Sequence, residues 1–157
     1  MKKGAFLLGV DLRCLPTDGS PGRGIEHAAR ELWSALCEAS GDHGVECVGF
    51  IPGGSTIDHV SSVIRLSGRR GSHLRHVLAR HAVTALLVPS GAVPFGISVP
   101  CYPWVHDGAI FEHPEWFPQS WLKRQLTTHL FLRGLRSAPH IFAVSQCAGR
   151  EIEVLLP

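Results

Sequence analysis

Short apolar runs alternate with longer amphipathic stretches along this chain, and that alternation is the feature that most restricts its fold. The runs that predict strands are residues 5–10, 45–51, 62–66, 84–88, 101–105 and 141–144. Helices are predicted at 24–39, 72–82 and 121–136, with a last one after Ser145. Runs that are apolar on both faces and separated by helices indicate a parallel sheet between helical layers. We therefore predict an α/β fold, a Rossmann-like parallel sheet with helices on both faces, in a single domain of 157 residues.

Turn and capping residues refine the helix ends. Gly41 and Gly44 are predicted to mark the exit of the first helix, because glycine adopts the left-handed conformation that ends helices. Ser72 and Ser145 are predicted N-caps. The third helix has an apolar side that we expect to face the core; its residues are Leu122, Leu126, Leu130, Phe131 and Leu135.

Charge and cysteine content exclude several classes of protein. The formal net charge of +2 is too small to favour a nucleic-acid partner. The five cysteines are an odd, scattered set, which argues against a disulfide framework or a structural zinc site and favours reduced thiols in the cytoplasm. The first apolar run stops at Asp11 after about six residues, short of the ~7–15 of a signal-peptide core. No stretch reaches the ~18 apolar residues of a membrane span.

A loop rich in glycine and proline follows the first strand, at residues 11–24. Ligands of open α/β sheets bind beyond the carboxyl ends of the strands, where this loop falls. Its glycines, Gly19, Gly22 and Gly24, do not have the G-x-G-x-x-G spacing of a dinucleotide site, and no G-K-[ST] follows as in a Walker loop. Two interpretations stay open: an anion site at a helix N-terminus, or a plain surface turn.

His106 and Asp107 directly follow the fifth predicted strand. A histidine there can donate a hydrogen bond to a substrate hydroxyl or act in proton transfer near neutral pH, but a structural histidine with a satisfied hydrogen bond is an equal alternative. Three further histidines, His73, His76 and His81, lie on or beside the second helix. No carboxylate or cysteine joins them at metal-ligand spacing, so we expect a solvated helix face and no metal site.

Three stretches together resemble glycosyltransferase family 4. VDLRCLPTDGSPGRGIEHAAREL is similar to the family's opening loop and helix; its Gly24, Ile25, Glu26 and His27 match the G-x-E version, while Arg23 replaces the first glycine of the usual pair. WVHDGAIFEHPEWFP resembles the family's H-D segment. HIFAVSQCAGREI resembles its A-V-S-E-x-S-R-x-E-I segment. The three stand in the family's order, while residues 52–83 carry no motif.

The resemblance implies the amino-terminal, acceptor-binding half of a retaining enzyme of the GT-B fold. Such enzymes transfer a sugar from a nucleotide-sugar to an acceptor, here a glycan or a lipid-linked acceptor of polysaccharide biosynthesis, without a metal or other cofactor. Carried over, Gly22, Arg23 and Gly24 would contact the donor phosphate. His106 and Asp107 would be the catalytic pair near the transferred sugar. Arg13 and Ser145 would line the acceptor cleft.

The family's carboxy-terminal half carries the nucleotide pocket and an E-x7-E motif, and no such motif stands at the end of this chain. We therefore expect a missing carboxy-terminal domain or partner subunit, and little or no transferase activity from the chain alone. The expected location is the cytoplasm, with peripheral association at the inner face of the membrane left open. Two alternatives remain: a non-catalytic module that binds a glycan or a partner, and an unrelated Rossmann-like nucleotide-binding protein.

Overall fold

The structure, a computed structural model, describes residues 6–18, 20, 24–67, 71–116 and 119–156. The strands are β1 Phe6–Asp11, β2 Val45–Pro52, β3 Val63–Leu66, β4 Ala85–Val88, β5 Cys101–Val105 and β6 Phe142–Ala143. The helices are α1 Ile25–His43, α2 Gly71–Arg80, α3 Ala109–Glu112, α4 Trp121–Arg136 and α5 Gln146–Leu155. Single 3-10 turns lie at Val60–Ser62 and Pro114–Trp116.

All pairings in the sheet are parallel, in the order β3-β2-β1-β4-β5-β6. The chain builds outward from β1 to β3, then returns to pair β4 with the other side of β1. This is the Rossmann-like arrangement that the alternation of strands and helices predicts, and the prediction is confirmed. The reversal of direction between β1 and β4 creates the switch point at which such sheets open a crevice beyond their carboxyl ends.

Two apolar clusters cover opposite faces of the sheet. On one face Ala29 and Trp33 of α1 pack against Val10, Ile51 and Leu87 of the strands. On the other face the buried side of α2, with Leu74, Val77 and Leu78, packs against residues of β2, β3, β4 and β5. Successive strand residues alternate between the two clusters, as the pleat requires, so both layers of helices are fixed by the apolar pattern of the same strands.

Several helix ends differ from their predicted positions. Helix α1 continues through Gly41 and ends at His43, and Gly44 alone supplies the left-handed cap, with φ of 65°. Helix α2 begins at Gly71, so Ser72 lies in its first turn and is not the N-cap. The prediction for Ser145 is confirmed: its Oγ accepts a hydrogen bond from the Ala148 amide at 3.1 Å.

Helix α4 has the predicted bounds but not the predicted buried face. Leu135 is 1% exposed and packs with Val105 and Ile152, whereas Leu122, Leu126 and Leu130 are exposed. The buried side of α4 passes through Gly134, which lies so close to Val93 that a Cβ at this position would stand 2.8 Å from that side chain. This close approach turns the helix about its axis and leaves the leucines at 122, 126 and 130 outside.

Candidate functional site

The carboxyl ends of β1, β4, β5 and β6 meet at one edge of the sheet because all four strands run in the same direction. Neighbouring strands are about 4.8 Å apart, so the ends of β1 and β5 are about 10 Å from each other. The segments that follow these strands carry Arg13 and Gly24, then Pro89, then His106 and Asp107, and then Ser145. The predicted site residues that the structure describes therefore share this edge.

The start of the loop after β1 is part of the core and not a free glycine loop. Leu12 and Leu15 are fully buried, and the Leu12 amide continues the ladder to the Phe50 carbonyl at 3.0 Å. Ser55 Oγ donates to the Pro16 carbonyl at 2.7 Å, which ties the loop to the segment after β2. The path of the loop towards α1 is thus fixed by packing from Asp11 to Pro16.

Arg13 forms a bidentate ion pair with Asp11, the last residue of β1. Arg13 Nε and Nη2 each lie 2.7 Å from one Asp11 carboxylate oxygen, and the Arg13 amide also points at Oδ1, at 3.3 Å. The Asp11 side chain is 3% exposed and that of Arg13 is 14% exposed. Burial lowers the pKa of Arg13, but the bonds to Asp11 outweigh it, so this pKa is raised and the guanidinium stays charged. Arg13, which was predicted to line the acceptor cleft, is therefore held in place by Asp11 at the end of β1.

Gly24 precedes α1 in a conformation with φ of 53° and ψ of −112°, which is favourable only for glycine. Within the residues that the structure describes, no side-chain hydrogen bond caps this helix, and its first amide groups carry the positive end of the helix dipole. This N-terminus lies beyond β1, as an anion site would require. The other two residues of the predicted phosphate site, Gly22 and Arg23, lie outside the described residues.

Replacing Gly24 by alanine should lower the free energy of unfolding by about 1–3 kcal/mol, because an added Cβ makes this backbone conformation unfavourable. An added Cβ would meet no atom within 4 Å, so strain and not a clash is the cause. Gly44→Ala is the matched control: it too has open space, but its φ of 65° and ψ of 24° lie in the left-handed region that other residues tolerate. Urea unfolding of both variants measures the difference, and equal losses would contradict the expectation.

The His106 side chain is hydrogen-bonded to the residue that follows the neighbouring strand, β4. Its Nε2 lies 2.8 Å from the carbonyl oxygen of Pro89, the residue that follows β4. A carbonyl only accepts, so Nε2 carries a proton, and in the neutral ring Nδ1 carries the lone pair. His106 can then accept a hydrogen bond from a ligand hydroxyl through Nδ1. The sequence suggested that His106 would donate a hydrogen bond to a ligand. In the neutral ring, however, the single N–H group already donates to the Pro89 carbonyl.

Asp107 and Ser145 have local partners. Asp107 is exposed, and its Oδ1 accepts from the Ala109 amide at 2.9 Å, which starts the short helix α3. Ser145 caps α5 in the same way. Each side chain keeps lone pairs beyond these bonds, so the catalytic role predicted for Asp107 and the cleft role predicted for Ser145 stay predictions.

Glu151 of α5 was not singled out from the sequence, yet it is the residue that holds the turn after His106. Its Oε2 accepts from the Gly108 amide at 2.6 Å, and its Oε1 accepts from the Cys147 thiol at 3.3 Å. A Cβ at Gly108 would stand 3.1 Å from the Glu151 side chain, so glycine is what permits this close contact. The spacing of Cys147 and Glu151, four apart on one helix, was the available signal.

Glu151→Gln should accelerate the reaction of Cys147 with a disulfide reagent several-fold at neutral pH. The Glu151 carboxylate accepts the S–H bond and is negative, so it disfavours the thiolate and raises the pKa of Cys147 above its ordinary value of 9.0. Neutral glutamine removes most of that effect, so the thiolate fraction rises at a given pH. A pH–rate profile measures the shift, with Cys147→Ser as the blank and Glu153→Gln, on the same helix, as control. An unmoved profile would show that Glu151 does not reach the thiol.

Two mainly apolar cavities, among those that the described residues form, lie away from this edge. The larger, of about 610 Å³, is lined by the segment 93–101 and by Leu130, Arg133 and Gly134 of α4, near the amino end of β5. The second, of about 380 Å³, is an apolar groove between α1 and the face of β4–β6, with Leu36, Trp104 and Phe142 among its walls. Neither contains His106 or Gly24, so the predicted site rests on the strand ends and not on these cavities.

The described ranges contain neither a cluster of metal ligands nor a membrane-spanning helix. Within them no three or more histidine, cysteine, aspartate or glutamate side chains are grouped as a metal site would require. His73 Nδ1 lies 2.8 Å from Ser67 Oγ, and His76 and His81 are exposed. None of the described helices has both the length and the apolar character of a membrane span.

Comparison of the chain with protein-family models, with curated proteins and with solved structures finds no match.

Proposed function

We propose that this chain is the amino-terminal, acceptor-binding half of a retaining glycosyltransferase, which transfers a sugar from a nucleotide-sugar to a glycan or lipid-linked acceptor. One observation supports this most strongly. The three stretches that resemble family 4 are far apart in sequence, yet their polar residues follow β1, β5 and β6 and lie at one edge of the sheet. Such a convergence is what a shared ligand site needs.

The groups at this edge suit a nucleotide-sugar whose phosphate lies at the N-terminus of α1 and whose sugar lies beside the imidazole of His106. The N-terminus of α1, for which the described residues provide no side-chain cap, attracts a phosphate of the donor. His106, about two strand spacings away, accepts a hydrogen bond from a sugar hydroxyl through Nδ1. A donor domain or partner subunit would close over these groups and supply the cationic groups that stabilise the leaving diphosphate. The chain by itself should then bind ligands but turn over little or no nucleotide-sugar.

Protein-observed NMR on the isolated, isotope-labelled chain tests the proposal. A panel of nucleotide-sugars, free glycans and short-chain lipid-linked sugars is added to the protein, and signals of residues 24–28, 106–109 and 145–148 are followed. We expect one glycan class to bind, with at least about tenfold weaker binding for His106→Ala, a loss of about 1.4 kcal/mol. His140→Ala, an exposed histidine between α4 and β6, is the matched control.

Two results would contradict the proposal. One is tight binding of NAD, measured by calorimetry, which would favour the nucleotide-binding alternative. The other is complete turnover of a nucleotide-sugar by these 157 residues alone, which would show that no second half is needed.

A non-catalytic binding module is the second candidate, and the local bonds at the edge favour it. Asp107, Ser145 and Glu151 all hold backbone amides in place. A module of this kind would bind the same glycan but would show no transfer when mixed with any donor half encoded beside it. Transfer in that mixture, lost in His106→Ala, identifies the enzyme.

A further inference from the structure

The connection between β4 and β5 leaves a cavity near the amino end of β5. Neighbouring parallel strands are usually joined by a helix that packs on the sheet. Residues 89–100, all of which the structure describes, contain no helix. This loop lies beside α4, and a cavity of about 610 Å³ remains between the two, open to solvent on one side. Its volume is within the range of small-molecule sites, ~300–1,000 Å³.

One side of α4 forms the first wall of this cavity. Four lining residues share that side of the helix, because they are spaced at intervals of three and four: Leu130, Arg133, Gly134 and Ser137. Gly134 and Ser137 are small, so the space in front of them is not filled by the helix. Ser137 Oγ already donates to the Gly134 carbonyl at 2.8 Å. The wall is therefore apolar at Leu130 and carries one charge, at Arg133.

The loop forms the second wall, which is largely apolar. Val93, Ile97 and Val99 are half-buried and also pack against the apolar cluster between α2 and the sheet. Cys101, the first residue of β5, is buried and lines the cavity on the side of the sheet. An apolar chain or ring that displaced water from between these walls would gain the free energy of apolar burial.

Arg133 and Phe95 lie together at the mouth of the cavity. Both are exposed, and the guanidinium carbon of Arg133 lies 5.0 Å from the centre of the Phe95 ring. This cation–π contact keeps the guanidinium at the mouth. A second guanidinium approaches the same turn from α2: Arg75 Nη1 lies 3.0 Å from the position that a Cβ at Gly96 would take. Residues 95 and 96 thus have a cationic group on each side.

No described acidic side chain balances these two arginines. Within the described ranges, neither Arg75 nor Arg133 forms an ion pair with a carboxylate. Both walls come from long stretches of sequence without aspartate or glutamate, residues 59–106 and 116–150. The mouth therefore has uncompensated positive charge in front of a mainly apolar interior. This combination is complementary to a molecule with one anionic group and an apolar body.

We propose that this cavity binds a monocarboxylate with an apolar chain or ring. The carboxylate pairs with Arg133 at the mouth, in the bidentate geometry that a guanidinium favours, and the apolar part lies between the loop and α4. The site suits a small molecule because it is concave and mainly apolar, with a polar group that orients the ligand.

This second site is separate from the candidate site at the strand ends. Cys101 begins β5 and His106 follows its last residue, so the two lie about 16 Å apart along the strand. The inference concerns binding in the cavity and does not rest on the proposed function.

Protein-observed NMR on the isotope-labelled full chain tests the proposal, with octanoate, octan-1-ol and octylammonium as probes. Octanoate should shift signals of residues 93–101 and 130–137 and bind at least about fivefold more tightly than octan-1-ol, since the ion pair adds to apolar burial. Octylammonium should bind more weakly than the alcohol, because the arginines repel it. Hexanoate should bind about tenfold more weakly than octanoate, since it buries two fewer CH₂ groups.

Two substitutions separate the contribution of the charge from that of the apolar wall. Arg133→Gln should weaken octanoate binding by at least about fivefold and leave octan-1-ol binding unchanged, because only the carboxylate uses the guanidinium. Leu130→Gln should weaken binding of both probes, because it removes part of the apolar wall. Arg136→Gln and Leu122→Gln are the matched controls, since both residues are exposed on α4 and do not line the cavity. Both controls should bind as the unchanged protein does, and circular dichroism checks that each variant folds.

Three results would overturn the proposal. The first is an absence of shifts at residues 93–101 and 130–137 in millimolar octanoate. The second is equal affinity for octanoate and octan-1-ol, or an unchanged octanoate affinity in Arg133→Gln, which would leave only unspecific apolar binding. The third is loss of octanoate binding in His106→Ala, which would place the anion at the strand ends. We expect His106→Ala to bind octanoate as the unchanged protein does, so this proposal and the proposed function can fail independently.

Discussion

Replacing Arg13 by alanine is expected to lower the free energy of unfolding by about 3–5 kcal/mol, because it leaves the buried carboxylate of Asp11 without its ion-pair partner. Asp11 is 3% exposed, and both of its oxygens are bonded to the guanidinium at 2.7 Å. Water cannot replace these two bonds without opening the end of β1. Equilibrium unfolding in urea, with linear extrapolation, measures the loss.

A double substitution separates the ion pair from simple loss of packing. Asp11→Asn with Arg13→Gln removes both charges and keeps a polar side chain at each position, so no charge is left buried alone. This variant should be more stable than Arg13→Ala. If Arg13→Ala costs less than about 1 kcal/mol, the pair contributes no more than an exposed salt bridge does.

Trp33→Ala should lower the free energy of unfolding by about 3–5 kcal/mol. The substitution leaves a cavity between α1 and the sheet, where Trp33 is the largest fully buried side chain. The ring packs so closely on β2 that two of its atoms lie 3.2 and 3.3 Å from the position of a Cβ at Gly49. Its Nε1–H donates to the Asp58 carbonyl at 3.0 Å, which also fastens the segment after β2. Thermal and urea unfolding both report the loss.

Trp33→Phe is the matched variant for that prediction. It keeps an aromatic ring in the cavity but removes the donor to Asp58 and part of the volume, so a smaller loss of about 1–2 kcal/mol is expected. Equal losses for the two variants would show that the hydrogen bond and not the packing holds α1 on the sheet.

The sequence predicted secondary structure correctly where the pattern of apolar residues is compatible with only one type of element. Strand β5 and helix α4 have the predicted bounds, because Cys101–Val105 is a compact apolar run and α4 has clear helical periodicity. Ser72 was placed wrongly since a helix can begin one or two residues before its best capping residue. Short elements such as α3 were missed because four residues contain little more than one helical turn.

The orientation of α4 and the role of Glu151 could not be read from periodicity. A helix with apolar residues around more than one side has several possible buried faces, and the close approach of Gly134 to Val93 decides between them. Glu151 accepts from the Gly108 amide across 43 positions, a contact that its spacing from Cys147 does not reveal. The candidate residues Arg13, His106, Asp107 and Ser145 lie at one edge of the sheet, as predicted, because each follows a strand; their hydrogen bonds could not be predicted, because they depend on other segments.

The position of β1 in the middle of the sheet has a consequence for the order of folding. On one side β1 pairs with β2, which follows it through a single helix, whereas on the other it pairs with β4, and Leu7 bonds to Thr84 across 77 positions. Closing that long loop carries a larger entropy cost than forming the first pair. We expect β1, β2 and β3 to associate first, with one edge of β1 still open. Pulsed hydrogen exchange during refolding would then protect the amides of the β1–β2 ladder before that of Thr84, and until then the open edge of β1 would be the place most exposed to pairing with another chain.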